Sequence, residues 1–123
     1  MTTDRFEIER EGRDGDEHVL ALRVPRELAY FQGHFEGDPI LPGIAEIVGV
    51  VDREARRLLG PLGGAKRLTR VKFMAIVRPD DELTLRLSRA DAEGEARLTF
   101  RLEVMREGGA AIASQGAITY AAR

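Results

Sequence analysis

Gly33–Gly43 reads GHFEGDPILPG, and the apolar run Ile44–Leu59 follows it without interruption. Three glycines and two prolines within this stretch fix a loop rather than continue a strand or helix. Pro42 stands where a helix starts, because proline in the first turn forfeits no helical hydrogen bond. Ile44, Ile47, Val48, Val51, Ala55, Leu58 and Leu59 recur at helical spacing, which predicts one long helix over Ile44–Leu59. Ala45 and Val50 widen its apolar surface, so the first half is expected to be buried nearly all round. In the second half Arg53, Arg56 and Arg57 point outward, and Gly60, Pro61, Gly63 and Gly64 end the helix.

Outside this centre the chain reads as strands. Phe6–Glu11 alternates apolar and polar residues like a half-buried strand, and with His18–Val24 it forms a hairpin across the turn-rich Gly12–Asp16. Glu27–Phe31 reads as a short helical turn, and His18 as a sheet-edge or surface residue. After the helix, Leu68–Val77, Glu82–Ser88, Ala96–Met105 and Ala110–Tyr120 are separated by turn signals at Pro79–Asp81, Asp91–Gly94 and Glu107–Gly109. A hairpin, one helix and then antiparallel strands predict an α+β domain whose sheet wraps a single buried helix. No repeat or second unit interrupts residues 1–123, which read as one domain.

The chain holds 123 residues, of which 43% are hydrophobic and 33% charged, as in a globular protein with a modest core. A core this small gains from further burial by oligomerisation. The absence of cysteine excludes disulfides, thiolate nucleophiles and cysteine zinc sites. The two histidines lie far apart, so no metal site is expected. No run approaches the ~18 apolar residues of a membrane span, and Met1–Arg10 lacks the apolar stretch of a signal peptide, so a cytoplasmic location is expected. The net charge is −2, yet Arg53–Arg78 holds eight basic residues against the single acid Glu54. That asymmetry either steers an acidic partner to one face or complements the helix C-terminus. Nucleic acid is disfavoured, because the chain is acidic overall and no aromatic residues interleave the basic ones.

His34-Phe35-Glu36-Gly37-Asp38-Pro39-Ile40-Leu41-Pro42-Gly43 before an apolar helix resembles the signature of the 3-hydroxyacyl-ACP dehydratases of fatty-acid synthesis. Val71-Lys72-Phe73 and Arg78-Pro79-Asp80-Asp81 are similar to a second stretch of that family, which has relatives in polyketide and aryl-polyene assembly. The resemblance implies a hotdog fold, an antiparallel sheet wrapped around one long central helix. It further implies a homodimer or higher homo-oligomer with sites at the subunit interface. The substrate implied is a 3-hydroxyacyl thioester on the phosphopantetheine of an acyl carrier protein or CoA, with no other cofactor.

Dehydration of such a thioester needs a base for the α-proton, an acid for the departing hydroxyl and a donor for the enolate oxygen. His34 suits the first role, since its pKa lies near working pH. Gly43 opens the helix, so its N–H is free to polarise the thioester carbonyl, and the lack of a side chain lets substrate approach closely. Phe35, Ile44 and Val48 complete the expected substrate wall, and Arg67, Arg70 and Lys72 the expected carrier-docking face. One position departs from the family, in which an acid follows the histidine by fourteen residues. Here that position is Val48, which has no proton to give.

Asp52, one turn beyond, is the leading candidate for a relocated acid, and its other reading is an ion pair with Arg56. Glu46 is a weaker candidate, because two residues along a helix turn a side chain to roughly the opposite side. Three arrangements therefore compete: Asp52 as acid, His34 acting alone, or a non-catalytic thioester-binding module that lacks or borrows its acid. A hotdog thioesterase, using a carboxylate to activate water, is a further alternative.

Overall fold

The computed structural model describes residues 3–31 and 39–122. His34 and Phe35 lie outside the described residues. Six strands, β1 (Glu7–Asp14), β2 (Glu17–Arg23), β3 (Ala65–Phe73), β4 (Glu82–Ala92), β5 (Glu95–Arg106) and β6 (Gly109–Ala121), form one sheet. Its order is β1-β2-β4-β5-β6-β3, and every pairing is antiparallel. Ala29–Phe31 makes a 3-10 turn before the helix.

Period-two alternation builds the inner face of the sheet. Leu83, Leu85 and Leu87 on β4, and Leu98, Phe100, Leu102 and Val104 on β5, are buried, while the residues between them are more exposed. Against this face lie Ile47, Val50, Val51 and Ala55 of the helix, in one core. Full burial of each such side chain contributes about 1.5–3 kcal/mol. A sheet wrapped on one helix is the expected architecture.

The helix itself differs from a uniform α-helix. It runs as α1 (Gly43–Ala45), a π-helical stretch (Glu46–Asp52) and α2 (Arg53–Leu59), end to end. Bonding from i to i+5 widens the middle turns and redistributes which side chains face the sheet. At its centre Gly49 admits the Tyr30 ring, which a Cβ there would meet at 3.1 Å.

Three expectations are corrected. The first half of the helix is not buried all round, since Ile44 is 65% and Val48 51% exposed. One sheet covers only the side of the helix turned toward it. β1 is exposed along its whole length rather than half-buried, because it is an edge strand paired only to β2. His18 is half-buried on β2, between β1 and β4, and so is not at the edge.

The third strand also begins and ends earlier than the apolar pattern suggested, at Ala65–Phe73. Its tail leaves the sheet: the Leu41 N–H donates to Val77 O at 2.8 Å, tying the tail to the loop that leads into the helix. Within β3, Arg70 and Val71 together oppose Gly116, a bulge that sets Arg70 at φ 52°. Arg89 donates to the carbonyls of Leu59 and Pro61 at the helix C-terminus, where Arg56 and Arg57 also stand in the last turn.

Candidate active site

The start of the helix and the departing tail of β3 enclose a groove of about 480 Å³. Gly43, Ile44 and Glu46 line one side and Phe73, Met74 and Ile76 the other. Leu41 is buried beneath it, while Ile44, Phe73, Met74 and Ile76 remain largely exposed. Gly43 heads the helix after Pro42, and its N–H meets no acceptor among the described residues. A Cβ at Gly43 would lie 2.8 Å from Cε1 of Phe73, so it is the Phe73 ring that occupies the close approach. Sequence reasoning assigned that space to substrate. Phe73 was visible only as part of a resemblance, because the contact joins residues thirty apart.

Glu46 is the unexpected member. It is only 3% exposed. Its Oε1 and the neighbouring Ser114 Oγ on β6 are both buried, and neither reaches hydrogen-bonding geometry with any group among the described residues. Burial raises the Glu46 carboxyl to about 7, and the nearby Ser114 hydroxyl draws it only part of the way back. Ser114 pairs across the sheet with Phe73, so Gly43, Phe73, Ser114 and Glu46 share one neighbourhood. Glu46 does face the side opposite Val48, as two residues along a helix require, being 3% exposed where Val48 is 51%; that covered side is the one that meets Ser114.

Asp52 sits elsewhere. It accepts a hydrogen bond from the Tyr120 hydroxyl at 2.7 Å, and Arg56 Nε lies 3.2 Å from each of its oxygens. Arg56 also donates to Leu62 O and Gly63 O, and its guanidinium lies 5.2 Å from the Tyr120 ring centroid. Burial, then the bond to Asp52, pushes the Tyr120 hydroxyl well above its ordinary pKa. Asp52 thus pins the second half of the helix to β6 and to the turn that follows, and it does not line the groove. Val48 is one turn along the exposed strip from Ile44 and presents an open apolar surface.

The three expected docking residues sit in different surroundings. Arg67 is paired with Glu95 at 2.8 Å, and Arg67 followed by Lys66 holds the Glu95 carboxyl down at about 2. Arg70 is turned out by the bulge and joins Arg97 and Arg101 in a basic hollow of about 340 Å³. Arg97 and Arg101 come from the exposed alternation of β5, the sheet face away from the helix, where sequence alone gave no reason to group them with Arg70. Lys72 is exposed. Among the described residues no cluster of three His, Asp or Glu side chains could hold a metal, and no helix is long and apolar enough to cross a membrane.

A family model described as ApeI-like, ApeI dehydratase, matches residues 9–116. The dehydratase heterocomplex ApeI:P from Xenorhabdus doucetiae superposes with a TM-score of 0.81 at 28% identity, covering 95% of this chain and 98% of that one. The 3-hydroxyacyl-[acyl-carrier-protein] dehydratase FabZ of Chloroflexus aggregans is 35% identical over 111 residues, 80% of this chain and 74% of that protein. The corresponding enzyme of Caldanaerobacter subterraneus is 31% identical over 81 residues, 61% of this chain and 57% of that protein. Against the first curated relatives the match spans a little over half of their length. The dehydratase domain of the CurF module of curacin polyketide synthase, at 12% identity and a TM-score of 0.67, shares the hotdog fold.

The buried carboxyl has a consequence for stability. Its folded pKa of about 7 exceeds the ordinary 4.5, so the folded state binds the proton more tightly than the unfolded state. Stability is therefore fullest below the unfolded value and is lost as pH rises through the interval to about 7, by roughly 3 kcal/mol. We expect Glu46→Gln to flatten that decline, leaving the protein little changed at acid pH and more stable than wild type above neutrality. Urea unfolding across this pH range measures it, and parallel profiles for the two proteins would contradict it.

Proposed function

The chain belongs to the ApeI-like dehydratase family, and from that membership we propose that it removes water from 3-hydroxyacyl thioesters carried on an acyl carrier protein or CoA. The observation that carries the proposal is the groove at the head of the helix, where an unengaged amide meets apolar walls. The Gly43 N–H polarises the thioester carbonyl as the enolate forms, without a charged side chain. Ile44, Phe73 and Met74 take the acyl chain and exclude water, and the open strip continues to Val48. His34, on the strength of the motif it begins, takes the α-proton. Phe35 joins the substrate wall by the same argument. The descriptions of the curated relatives as 3-hydroxyacyl-ACP dehydratases support this assignment.

A second copy of the chain completes the protein in this reading. β3 is a sheet edge carrying exposed Leu68 and Phe73, and exposed Ile44, Val48, Met74 and Ile76 lie on the helix head and on the tail that follows β3. The other edge, β1, is guarded by charge, with Glu7, Glu9, Arg10, Glu11, Arg13 and Asp14. A two-fold pairing along β3 would cover the apolar side and leave the charged edge in water. The Xenorhabdus neighbour is described as a heterocomplex, which supports assembly of this family through more than one chain. Arg70 and Lys72, with Arg97 and Arg101, form the face offered to an acidic carrier.

Three measurements test these statements. Incubation with 3-hydroxyacyl thioesters of several chain lengths is expected to give the 2-enoyl product, and His34→Ala to lower kcat by about 100-fold or more. Release of free thiol without enoyl product would replace the dehydratase by a thioesterase, and thioester binding without turnover would replace it by a binding module. Light scattering is expected to give twice the chain mass, with Leu68→Glu shifting it toward the monomer; a monomeric wild type overturns the pairing. Arg70→Glu is expected to weaken carrier-protein binding about tenfold at low salt and less at high salt, and unchanged titration would remove this face from docking.

A further inference from the structure

We propose that Glu46, in the wall of the groove beside Gly43, is the proton donor to the departing hydroxyl, in place of the acid absent at Val48. The assignment rests on the dehydratase reading above. Four observations bring it to Glu46. The residue lines the same groove as Gly43. It is buried, with Oε1 unpartnered among the described residues. Unpaired buried polar atoms are rare in folded proteins and each asks for a reason. The two alternatives on the helix are unsuited: Val48 carries no proton, and Asp52 is committed to Tyr120 and Arg56 outside the groove.

Protonation agrees with this placement. A general acid works best with a pKa near the working pH, and burial holds this carboxyl at about 7. Ser114 is the polar side chain among the described residues that bears on it, from β6, and no charged group among them contributes to its shift. In the reaction the α-carbon gives its proton to the base and the new double bond forms between the α and β carbons. The bond from the β carbon to the hydroxyl oxygen breaks, and that oxygen leaves as water with the Glu46 proton. The carboxylate is then reprotonated as the base releases its proton to solvent, so the step consumes nothing but substrate. Ser114, adjacent on β6 and acting on the carboxyl through its hydroxyl, is a positioning residue for it.

The test is a steady-state comparison of wild type, Glu46→Gln, Glu46→Asp and Asp52→Asn on one 3-hydroxyacyl-CoA, with kcat, KM and the pH dependence of kcat. Wild-type kcat is expected to fall as pH rises through about 7, because the acid must be protonated. Glu46→Gln is expected to lower kcat by about 100-fold or more with KM changed little, and to abolish that alkaline limb. Glu46→Asp, which keeps the acid, is expected to retain more activity than the amide, and Asp52→Asn to keep the wild-type limb. Wild-type kcat in Glu46→Gln, or an unaltered limb, overturns the assignment while the dehydratase reading stands. A wild type without turnover on any chain length overturns both, and this is seen before any variant is made. Loss of the limb in Asp52→Asn rather than in Glu46→Gln would move the acid to Asp52. Since the amide is isosteric and carries no charge, its folding is checked by the same urea profiles as the wild type.

Discussion

A single helix has to cover the inner face of a six-stranded sheet, and this constraint shapes the rest of the molecule. Val50, Val51 and Ala55 are almost wholly removed from solvent, as are the inward leucines of β4 and β5. One helix presents one side to the sheet, so whatever faces the other way is left open. That is why Ile44 and Val48 are exposed although their sequence context is as apolar as that of the core. The same geometry decides where a polar group is tolerated. A carboxyl on the covered side must be neutral, paired or useful, because burial penalises its charge. Glu46 is on that side with no charged partner among the described residues and with Oε1 unpaired there, whereas buried Glu54 is paired with Arg57 at 2.7 Å.

Contacts to β6, rather than the turn of the helix, set the two acids of the helix apart. On α-helical geometry Asp52 follows Val48 by one turn and points almost as Val48 does, whereas Glu46 turns away. In the structure the Asp52 carboxylate instead meets Tyr120, sixty-eight residues along the chain. Glu46, opening the widened stretch, lies against the groove. Asp52 has acquired a structural duty, since Tyr120, Arg56 and the Leu62 and Gly63 carbonyls form one connected set. Removing it from that set would cost hydrogen bonds of the charge-assisted kind, each worth roughly 1.5–3 kcal/mol.

What the sequence made legible follows from what is local. Helix and strand positions could be read because period and turn residues act within a few neighbours, and each of the six strands overlaps the alternating run that predicted it. β3 was misjudged at both ends, since its tail turns toward Leu41 for reasons of packing between distant segments. The exposure of β1 was illegible because alternation does not say whether a strand has a neighbour on each side. At the site, Gly43 could be recognised from the loop and the helix start, but Phe73, Ser114 and the arginines of β5 come from strands that only the sheet register brings near. His34 and Phe35 lie outside the described residues, so their roles rest on the motif.

The open strip and the buried acid are two sides of one economy in the helix. Placing an acid at Val48 would put a carboxyl on the exposed strip, where water keeps its pKa in the ordinary range and an apolar chain or a partner subunit must displace that water. Two residues earlier the sheet already excludes solvent, and the carboxyl is raised to about 7 by the fold itself. Val48 is then free to remain apolar and extend the surface that begins at Ile44. The penalty is a buried acid that weakens the protein as pH rises, a pattern in which local stability is yielded where chemistry is done. A purely structural residue would meet no such need, since glutamine or leucine at the same site would carry no titrating group. The unpaired acid beside the groove is therefore better explained by what it can donate than by what it holds together.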